Sequence, residues 1–244
     1  VIHNGINLPK EPNGSRVESR ESSPAPTHAN SHPILATAPE ALVILSCGMF
    51  YERKNFLGLI QAFNLVAGKY PNVILRIFGD GPDKLKVEQA RLESPFKDRI
   101  EIPGKVTHAE VLKQMEEADI FALIGWREPF ATVFLEAMAA GLPVIACSDG
   151  GIAEVIHSVD MAAVTLGSDR STLDPPDANG ILVPPRAIQA AAQALEFLIL
   201  NPEARRKIGA AARRSIEAEL SWDAIVGKYL MLFKEAIEKS DAKS

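Results

Sequence analysis

Two carboxylates eight positions apart stand out in the stretch EPFATVFLEAMAAGLPVIACSDGG, which runs from Glu128 to Gly151. Glu128 precedes an apolar segment and Glu136 lies inside it, next to Leu135 and Ala137. The simplest interpretation makes Glu128 a solvated loop residue and Glu136 a surface charge on an amphipathic helix. Because its neighbours are so apolar, Glu136 is less readily explained as an exposed surface residue than most helical glutamates are. Since carboxylates accept hydrogen bonds from hydroxyl groups, the pair could instead hold a ligand with hydroxyls at both ends.

The segment between the two carboxylates predicts a helix that begins at Ala131 or Thr132 and runs to about Ala140. The first N–H groups of a helix have no partner within it, and the helix dipole favours an anion there. The N–H groups of Ala131, Thr132 and Val133 would therefore face a phosphate group. Hydroxyls at both ends and a phosphate in the middle describe a nucleotide sugar.

Three further loops carry residues suited to ligand binding. In CGMFYERKN, Gly48 ends a predicted strand, and Arg53 and Lys54 precede a helix, where two cations suit a phosphate group. On these residues alone a solvated basic pair is the simpler interpretation. The Gly-x-Gly of FGDGP lacks the dinucleotide-binding spacing, so Asp80 is explained by turn stabilisation. In SDGGIAEV, a Gly pair opens a predicted short helix and allows close approach of a backbone or a ligand.

The elements that must position these residues follow a regular order from residue 41 onward. Apolar strands alternate with amphipathic helices, and the strands are ALVILSCG, PNVILRIFG, RIEIPG, DIFALIG, PVIAC and NGILVPP. This pattern predicts a parallel sheet covered on both faces, in a doubly wound α/β fold. Ligands of such folds bind at the carboxyl ends of the strands, where the four loops above lie.

The composition of the chain limits the classes of function that it can have. The chain has 244 residues, 47% of them hydrophobic and 23% charged, which is typical of a soluble globular protein. A net charge of −5 argues against a nucleic-acid partner. No stretch approaches the roughly 18 apolar residues that a membrane span needs. Cys47 and Cys147 lie in apolar runs, and we expect them to be buried free thiols in strands, as suits a reducing compartment.

The two ends of the chain differ in character from its middle. VIHNGINLP is typical of the interior of a longer protein, and the polar, proline-rich tract after it predicts a flexible loop up to residue 40. We predict a globular domain over 41–220, with a second irregular loop near 159–179. A last helix from about Ser221 carries one apolar stripe, formed by Trp222, Ile225, Val226, Tyr229, Leu230, Phe233 and Ile237.

The motifs and their order resemble the C-terminal half of retaining glycosyltransferases with the GT-B architecture. This group includes sucrose-phosphate synthase, glycogen synthase and bacterial mannosyltransferases. The resemblance rests on VIHNGIN, CGMFYERKN, RIFGDGP, IEIPGKV, ADIFALIG, EPFATVFLEAMAAGLPVIA, GGIAEVI, NGILVPP and ELSW. It implies a Rossmann-like donor-binding domain of a hexosyltransferase that uses a nucleoside-diphosphate sugar such as a UDP- or GDP-sugar.

The resemblance also implies roles for individual residues. Glu128 would bind the hydroxyls of the donor sugar, Glu136 the ribose hydroxyls, and Lys54 the departing diphosphate. Backbone N–H groups would come from Ala131, Thr132 and Val133, while main-chain groups of Gly104 and Lys105 would frame the base. Two positions depart from the family pattern, because Met49 replaces an Arg after Gly48, and Ala131 replaces a Gly after Phe130. Arg53 could supply the missing cation.

Cofactors and partners follow from the same resemblance. It implies no cofactor and no essential metal, because Lys and Arg stabilise the leaving diphosphate. Residues 221–244 would cross back to a missing N-terminal domain, which supplies the acceptor site and a catalytic histidine. None of the histidines matches that motif (His3, His28, His32, His108, His157). The chain alone would bind a donor without completing transfer. In the full protein the resemblance implies a cytoplasmic location, peripheral at the cytosolic membrane face where the acceptor is membrane-associated.

Two other functions remain open at this stage. Met49 would suit a nucleotide-binding module that has lost turnover. A non-hydrolysing sugar-nucleotide epimerase shares the two-domain architecture, although the Glu pair and ELSW resemble the transferases more closely. Neither the base, the sugar nor the acceptor follows from these residues.

Overall fold

The computed structural model describes Ile6, residues 41–162 and residues 175–241. Their core is a six-stranded parallel sheet in the order β3-β2-β1-β4-β5-β6. The strands are β1 (Leu42–Cys47), β2 (Val73–Phe78), β3 (Ile100–Gly104), β4 (Ile120–Leu123), β5 (Val144–Cys147) and β6 (Ile181–Val183). The predicted doubly wound α/β fold is confirmed. The predicted loop over residues 1–40, Ile6 excepted, and much of the loop near 159–179 lie outside the described residues.

Helices connect the strands and follow the sheet. They are α1 (Phe56–Ala67), α2 (Lys84–Glu93), α3 (His108–Glu117), α4 (Thr132–Ala139), α5 (Ile188–Leu200), α6 (Pro202–Ser215) and α7 (Trp222–Asp241). The predicted start of α4 at Ala131 or Thr132 is confirmed. The helix predicted in IAEVIH is only a 3-10 turn, Gly151–Glu154. A π-turn, Ile216–Leu220, joins α6 to α7.

The strands are apolar along their whole length because helices cover both faces of the sheet. Ile44 and Leu45 are neighbours in β1, so their side chains point to opposite faces, and both are fully buried. Cys147 is buried at the end of β5, whereas Cys47, at the end of β1, is only half-buried. Both cysteines are free, and the prediction of a buried thiol is correct for Cys147 alone.

The strand order places a crevice between β1 and β4. From β1 the chain moves outward through β2 and β3, then returns to the other side of β1 as β4 and continues to β5 and β6. The connections after β1 and β4 therefore leave towards opposite sides of the sheet. Such a switch point is where open α/β sheets bind ligands.

Ile6 pairs with the residues at the start of α7. The N–H group of Ile6 donates to the carbonyl of Leu220 at 2.9 Å, and the N–H group of Trp222 donates to the carbonyl of Ile6 at 3.2 Å. Ile6 of VIHNGIN thus lies beside the ELSW segment, from which the sequence separates it by more than two hundred residues.

Helix α7 leaves most of its apolar stripe exposed. Ile225 is 1% exposed, whereas Phe233 and Ile237 are each 61% exposed. The rings of Tyr229 and Phe233 stack on each other at 6.2 Å instead of entering the core.

No helix among the described residues has the length and apolar content that a membrane crossing requires.

We expect the second half of α7 to exchange its amide hydrogens rapidly. Few tertiary contacts hold this half, and each apolar side chain left in water forgoes roughly 1.5–3 kcal/mol of burial. Hydrogen exchange followed by mass spectrometry should show little protection from about Leu232 onward, or the chain should associate at high concentration. Strong protection through Glu238 in a strictly monomeric sample would contradict this expectation.

Candidate active site

The loop after β1 is tied to the end of β4 by Asn55. A 3-10 turn, Glu52–Lys54, precedes Asn55, which adopts a left-handed backbone conformation (φ 55°) at the start of α1. Its side-chain oxygen accepts the N–H group of Gly58 at 3.2 Å, and its amide nitrogen donates to the carbonyl of Ile124 at 3.3 Å. This bridge holds Lys54 against the loop that carries Glu128.

Lys54 and Glu128 form an ion pair at the centre of the crevice. Lys54 Nζ lies 2.6 Å from Glu128 Oε2, and the two side chains are only 13% and 7% exposed. The interpretation of Glu128 as a solvated loop residue is therefore wrong. Its burial depends on Lys54, because an unpaired carboxylate would be costly at this depth.

The second oxygen of Glu128 is less well satisfied. Arg53 Nε lies 3.3 Å from Glu128 Oε1, and Arg53 is 53% exposed. Despite this short distance, Oε1 is buried and accepts no hydrogen bond within the described part of the chain. The two observations agree if Arg53 and Glu128 form an ion pair in which no N–H group of Arg53 points at Oε1. A buried acceptor without a donor is a position that a ligand hydroxyl could satisfy.

Backbone contacts fix the loop between β4 and α4. The N–H group of Trp126 donates to the carbonyl of Arg53 at 2.9 Å, and the N–H group of Gly151 donates to the carbonyl of Glu128 at 2.8 Å. A Cβ atom on Gly151 would lie 1.8 Å from the carbonyl oxygen of Pro129. The close approach that the Gly pair permits is therefore that of the chain's own backbone.

The start of α4 presents amide groups next to the ion pair. Ala131 has an extended backbone, and the first N–H to find an acceptor in this helix is that of Phe134, which donates to the carbonyl of Ala131 at 3.1 Å. The N–H groups of Ala131, Thr132 and Val133 come before this bond and have no intrahelical partner. An anion in the crevice would meet these groups and the positive end of the helix dipole.

Glu136 lies on the second turn of α4 and contacts a histidine. Glu136 Oε1 is 2.9 Å from His108 Nε2, with the carboxylate side chain mostly shielded and the imidazole exposed. His108 begins α3, whose N-cap is Thr107. The interpretation of Glu136 as a plain surface charge is wrong. This contact does not follow from the sequence, because a single histidine at a helix start carries no motif.

Gly104 and Lys105 lie at the end of β3, on the same edge of the sheet. Gly104 has φ +87°, its carbonyl accepts the N–H group of Gly79 at 3.0 Å, and no atom lies within 4 Å of the position of a Cβ. Lys105 is exposed. The structure thus places both residues beside open space, and their contact with a base stays a prediction.

The glycines of FGDGP have a structural explanation. A Cβ on Gly79 would lie 1.9 Å from the carbonyl oxygen of Gly48, and one on Gly81 would lie 2.7 Å from the nitrogen of Phe50. The carboxylate of Asp80 accepts the N–H group of Gly81 at 2.8 Å. The turn packs on the loop after β1, as the simpler interpretation of Asp80 predicts.

Cys47 reports on the charges at this edge. Burial, the largest cause, and the Glu136 carboxylate together raise the pKa of its thiol to about 11, while Lys54 acts in the opposite direction. The thiol therefore lies within electrostatic range of both side chains.

No group of three His, Cys, Asp or Glu side chains suited to a metal ion occurs in the described ranges.

Fold and site together define an α/β protein that places a buried Lys–Glu pair and the start of a helix at a topological switch point. A family model described as "Glycosyl transferases group 1" matches residues 28–215. A relative, the lipopolysaccharide core biosynthesis glycosyltransferase LpsD of Rhizobium meliloti, is 30% identical over 88% of this chain and 55% of its own length. The chain belongs to the glycosyl transferase group 1 family, and it spans about half the length of this relative.

Solved structures agree with this assignment. A sucrose-phosphate synthase from Thermosynechococcus elongatus has a TM-score of 0.66 at 25% identity, over 82% of this chain and 46% of that one. The C-terminal domain of a group 1 glycosyl transferase from Francisella tularensis has a TM-score of 0.58 at 25% identity, over 74% of this chain and 87% of that one. The resemblance to the sucrose-phosphate synthase and glycogen synthase group is confirmed.

The thiol of Cys47 should become more reactive when Glu136 loses its charge. Glu136→Gln removes a carboxylate that raises the thiol pKa, so the pKa should fall and alkylation by iodoacetamide at pH 8 should accelerate. A Cys147→Ala background isolates Cys47, and Glu93→Gln, at the far end of α2, is the matched control. Equal rates in the Gln variant and the control would show that Glu136 does not face Cys47.

Proposed function

We propose that this chain is the donor-binding domain of a retaining glycosyltransferase, which transfers a hexose from a nucleoside-diphosphate sugar to an acceptor hydroxyl. The observation that carries the proposal is the buried Lys54–Glu128 pair beside the N-terminus of α4. A cation for a diphosphate, a carboxylate for sugar hydroxyls and free helix amides meet within one crevice. Family membership supports the same reaction class.

The diphosphate would lie between Lys54 and the start of α4. Its charge grows at the leaving oxygen as the glycosidic bond breaks, and fixed donors in a shielded site stabilise that charge most effectively. Lys54 has three N–H donors, of which one serves Glu128, so it can bind a phosphate oxygen without abandoning the carboxylate. Under this proposal these groups take the role that a metal ion fills in other transferases.

Glu128 would position the donor sugar. Its buried Oε1 lacks a donor, and a sugar hydroxyl could supply one while the Lys54 contact holds the other oxygen in place. The anomeric carbon would then lie next to the leaving diphosphate. Retention of configuration would follow if the acceptor hydroxyl attacks from the side of the leaving group and the departing phosphate takes its proton.

Glu136 would bind the ribose hydroxyls. Its carboxylate oxygen lies 2.9 Å from His108 Nε2, and this contact supports a role for Glu136 as a hydrogen-bond acceptor. A ribose would share the carboxylate with His108 or displace the imidazole, which is exposed and can turn away. Beyond it, main-chain groups of Gly104 and Lys105 would frame the base.

Transfer itself would need a second domain. The bridge between Ile6 and Ser221 supports this, because it places a residue that precedes β1 beside the start of α7, as expected where two adjacent connections lead to another domain. The exposed face of α7 would then be covered by that domain. The acceptor site, a catalytic histidine and a peripheral membrane position for a membrane-associated acceptor are part of this proposal.

One observation favours a second candidate, a nucleotide-binding module without turnover. Met49 stands where the family resemblance expects an Arg, and its side chain is 54% exposed. Arg53, the alternative cation, contacts Glu128. Transfer from labelled nucleotide sugars by a two-domain form of the protein separates the candidates, because the module would bind the donor without product formation.

Replacement of Glu136 should weaken nucleotide binding. A hydrogen bond to a charged group contributes roughly 1.5–3 kcal/mol, so Glu136→Ala should lower the affinity for the preferred nucleoside diphosphate about ten- to a hundredfold. Calorimetry with UDP, GDP and ADP first identifies that nucleotide. Glu93→Ala removes an exposed carboxylate at the opposite edge of the sheet and should bind normally. Equal affinity of both variants would rule out the ribose assignment.

An arginine at position 49 should strengthen diphosphate binding. The guanidinium of Met49→Arg could reach two phosphate oxygens at once, and we expect about a tenfold gain in affinity for the nucleoside diphosphate. Met49→Gln, which has a similar size and no charge, is the control and should show no gain. A Met49→Arg variant no tighter than Met49→Gln would mean that Arg53 already provides this cation.

A further inference from the structure

Strained backbone in the described residues gathers at the ligand edge of the sheet. Among the described residues other than glycine, positive φ angles occur only at Asn55 (55°), Arg127 (52°) and Arg186 (61°). They follow β1, β4 and β6, respectively. The hydrogen bond from Asn55 to the carbonyl of Ile124 explains the conformation of Asn55, and asparagine tolerates a positive φ better than most residues. Long side chains seldom adopt this conformation, and it persists where the surroundings fix it, often at functional sites.

Arg186 is held in place by an aromatic ring. Its guanidinium carbon lies 4.4 Å from the centre of the Trp126 ring, which is half-buried in the loop between β4 and α4. Stacking fixes the plane of the guanidinium and leaves the N–H groups on its edge free. Such a preorganised fork matches the two oxygens of a carboxylate or a phosphate.

Arg127 lies beside this stacked pair. Its backbone N–H donates to Asp149 Oδ1 at 3.2 Å, and its side chain is exposed. Over residues 41–162 and 175–241, neither Arg127 nor Arg186 has a carboxylate partner. Arg127, which directly precedes Glu128, and Arg186 thus offer two guanidinium groups that no internal ion pair occupies in these ranges.

The strand order gives the direction in which these cations lie. Glu136 contacts His108 in the helix after β3, and Gly104 is the last residue of β3, whereas Glu128 follows β4. Arg186 follows β6, two strands beyond β4, or about 10 Å further along the sheet edge at the usual strand spacing. The contact between Arg186 and the Trp126 ring connects the two loops across this distance. The cations lie past Glu128, on the side away from Glu136.

We infer that Arg127 and the Trp126–Arg186 pair form a second anion subsite, which binds a phosphate or carboxylate group of the acceptor. The identification of the source as the acceptor rests on the proposed function, since it places the nucleotide and the sugar between Glu136 and Glu128. The anion-binding property itself rests only on the stacked guanidinium, the unpaired arginines and the strained backbone. The same chemistry would also suit a carboxylate on the donor sugar.

Calorimetry with inorganic phosphate as the probe tests the subsite directly. The chain is first saturated with the nucleoside diphosphate that it binds, so that the phosphates of the donor occupy their own site. Phosphate should still bind, and Arg186→Gln and Arg127→Gln should each weaken it about tenfold. Arg214→Gln is the matched control, because its neighbour Ser215 contacts Asn179 just before β6, at the opposite edge. The control should bind phosphate normally.

Further arms separate the sources of the anion. If the subsite serves the acceptor, both arginine variants should bind UDP-glucose and UDP-glucuronate as the unaltered chain does. A loss confined to UDP-glucuronate would assign the arginines to the donor sugar, and a loss for the nucleoside diphosphate would assign them to the donor phosphates. Either result overturns the acceptor assignment.

The test also distinguishes a structural role and a failure of the proposed function. If the Trp126–Arg186 contact only supports the loop, phosphate binding will be absent or equal in Arg186→Gln and the control, and the inference is wrong. A chain that binds no nucleotide but binds phosphate through Arg186 would refute the proposed function and retain the subsite. Unfolding midpoints by circular dichroism confirm that each variant is folded.

Discussion

The ion pair between Lys54 and Glu128 joins the two loops on which the crevice depends. A carboxylate that is only 7% exposed persists in this position because a cation lies 2.6 Å away. Removing one partner of a buried pair costs about 3–5 kcal/mol, since the other charge is left uncompensated. The surrounding contacts, from Asn55 to Ile124 and from Trp126 to Arg53, hold the two loops at the separation that this pair requires.

The parallel sheet explains why these groups meet at all. The connections after β1 and β4 diverge, so the space between them is left for side chains and ligands instead of a crossing helix. The start of α4 adds unpaired amides to the same space. A shielded site with fixed donors stabilises a developing negative charge without reorganisation, which is the requirement of a reaction that releases a diphosphate.

Sequence patterns predicted the fold because local and global signals agree in this chain. Apolar strands, amphipathic helices and strand-ending glycines placed six strands and the start of α4 correctly. The burial of Glu128 and the contact of Glu136 with His108 were not predictable, since both depend on residues more than twenty positions away. The same holds for the stacking of Arg186 on Trp126, sixty positions apart, which no motif marks. Nearby glycines in SDGG gave an ambiguous signal, and only the distance from Gly151 to Pro129 shows that the backbone requires them.

The groups that we propose to bind anions extend across more of the sheet edge than the family resemblance accounts for. Lys54, the amides of α4 and the arginines after β4 and β6 form a series from one side of Glu128 to the other. This arrangement fits a site that aligns two substrates along one edge, with the transferred sugar between them.

The central claim is that a nucleoside-diphosphate sugar binds in the crevice between β1 and β4. Hydrogen exchange measured with and without a saturating nucleoside diphosphate tests it most directly, because the claim names the amides that contact the phosphates. We expect slower exchange at residues 131–133 and across the loop from Gly48 to Lys54. Slower exchange confined to the Gly79–Asp83 turn or to α7, with no change at 131–133, would contradict it.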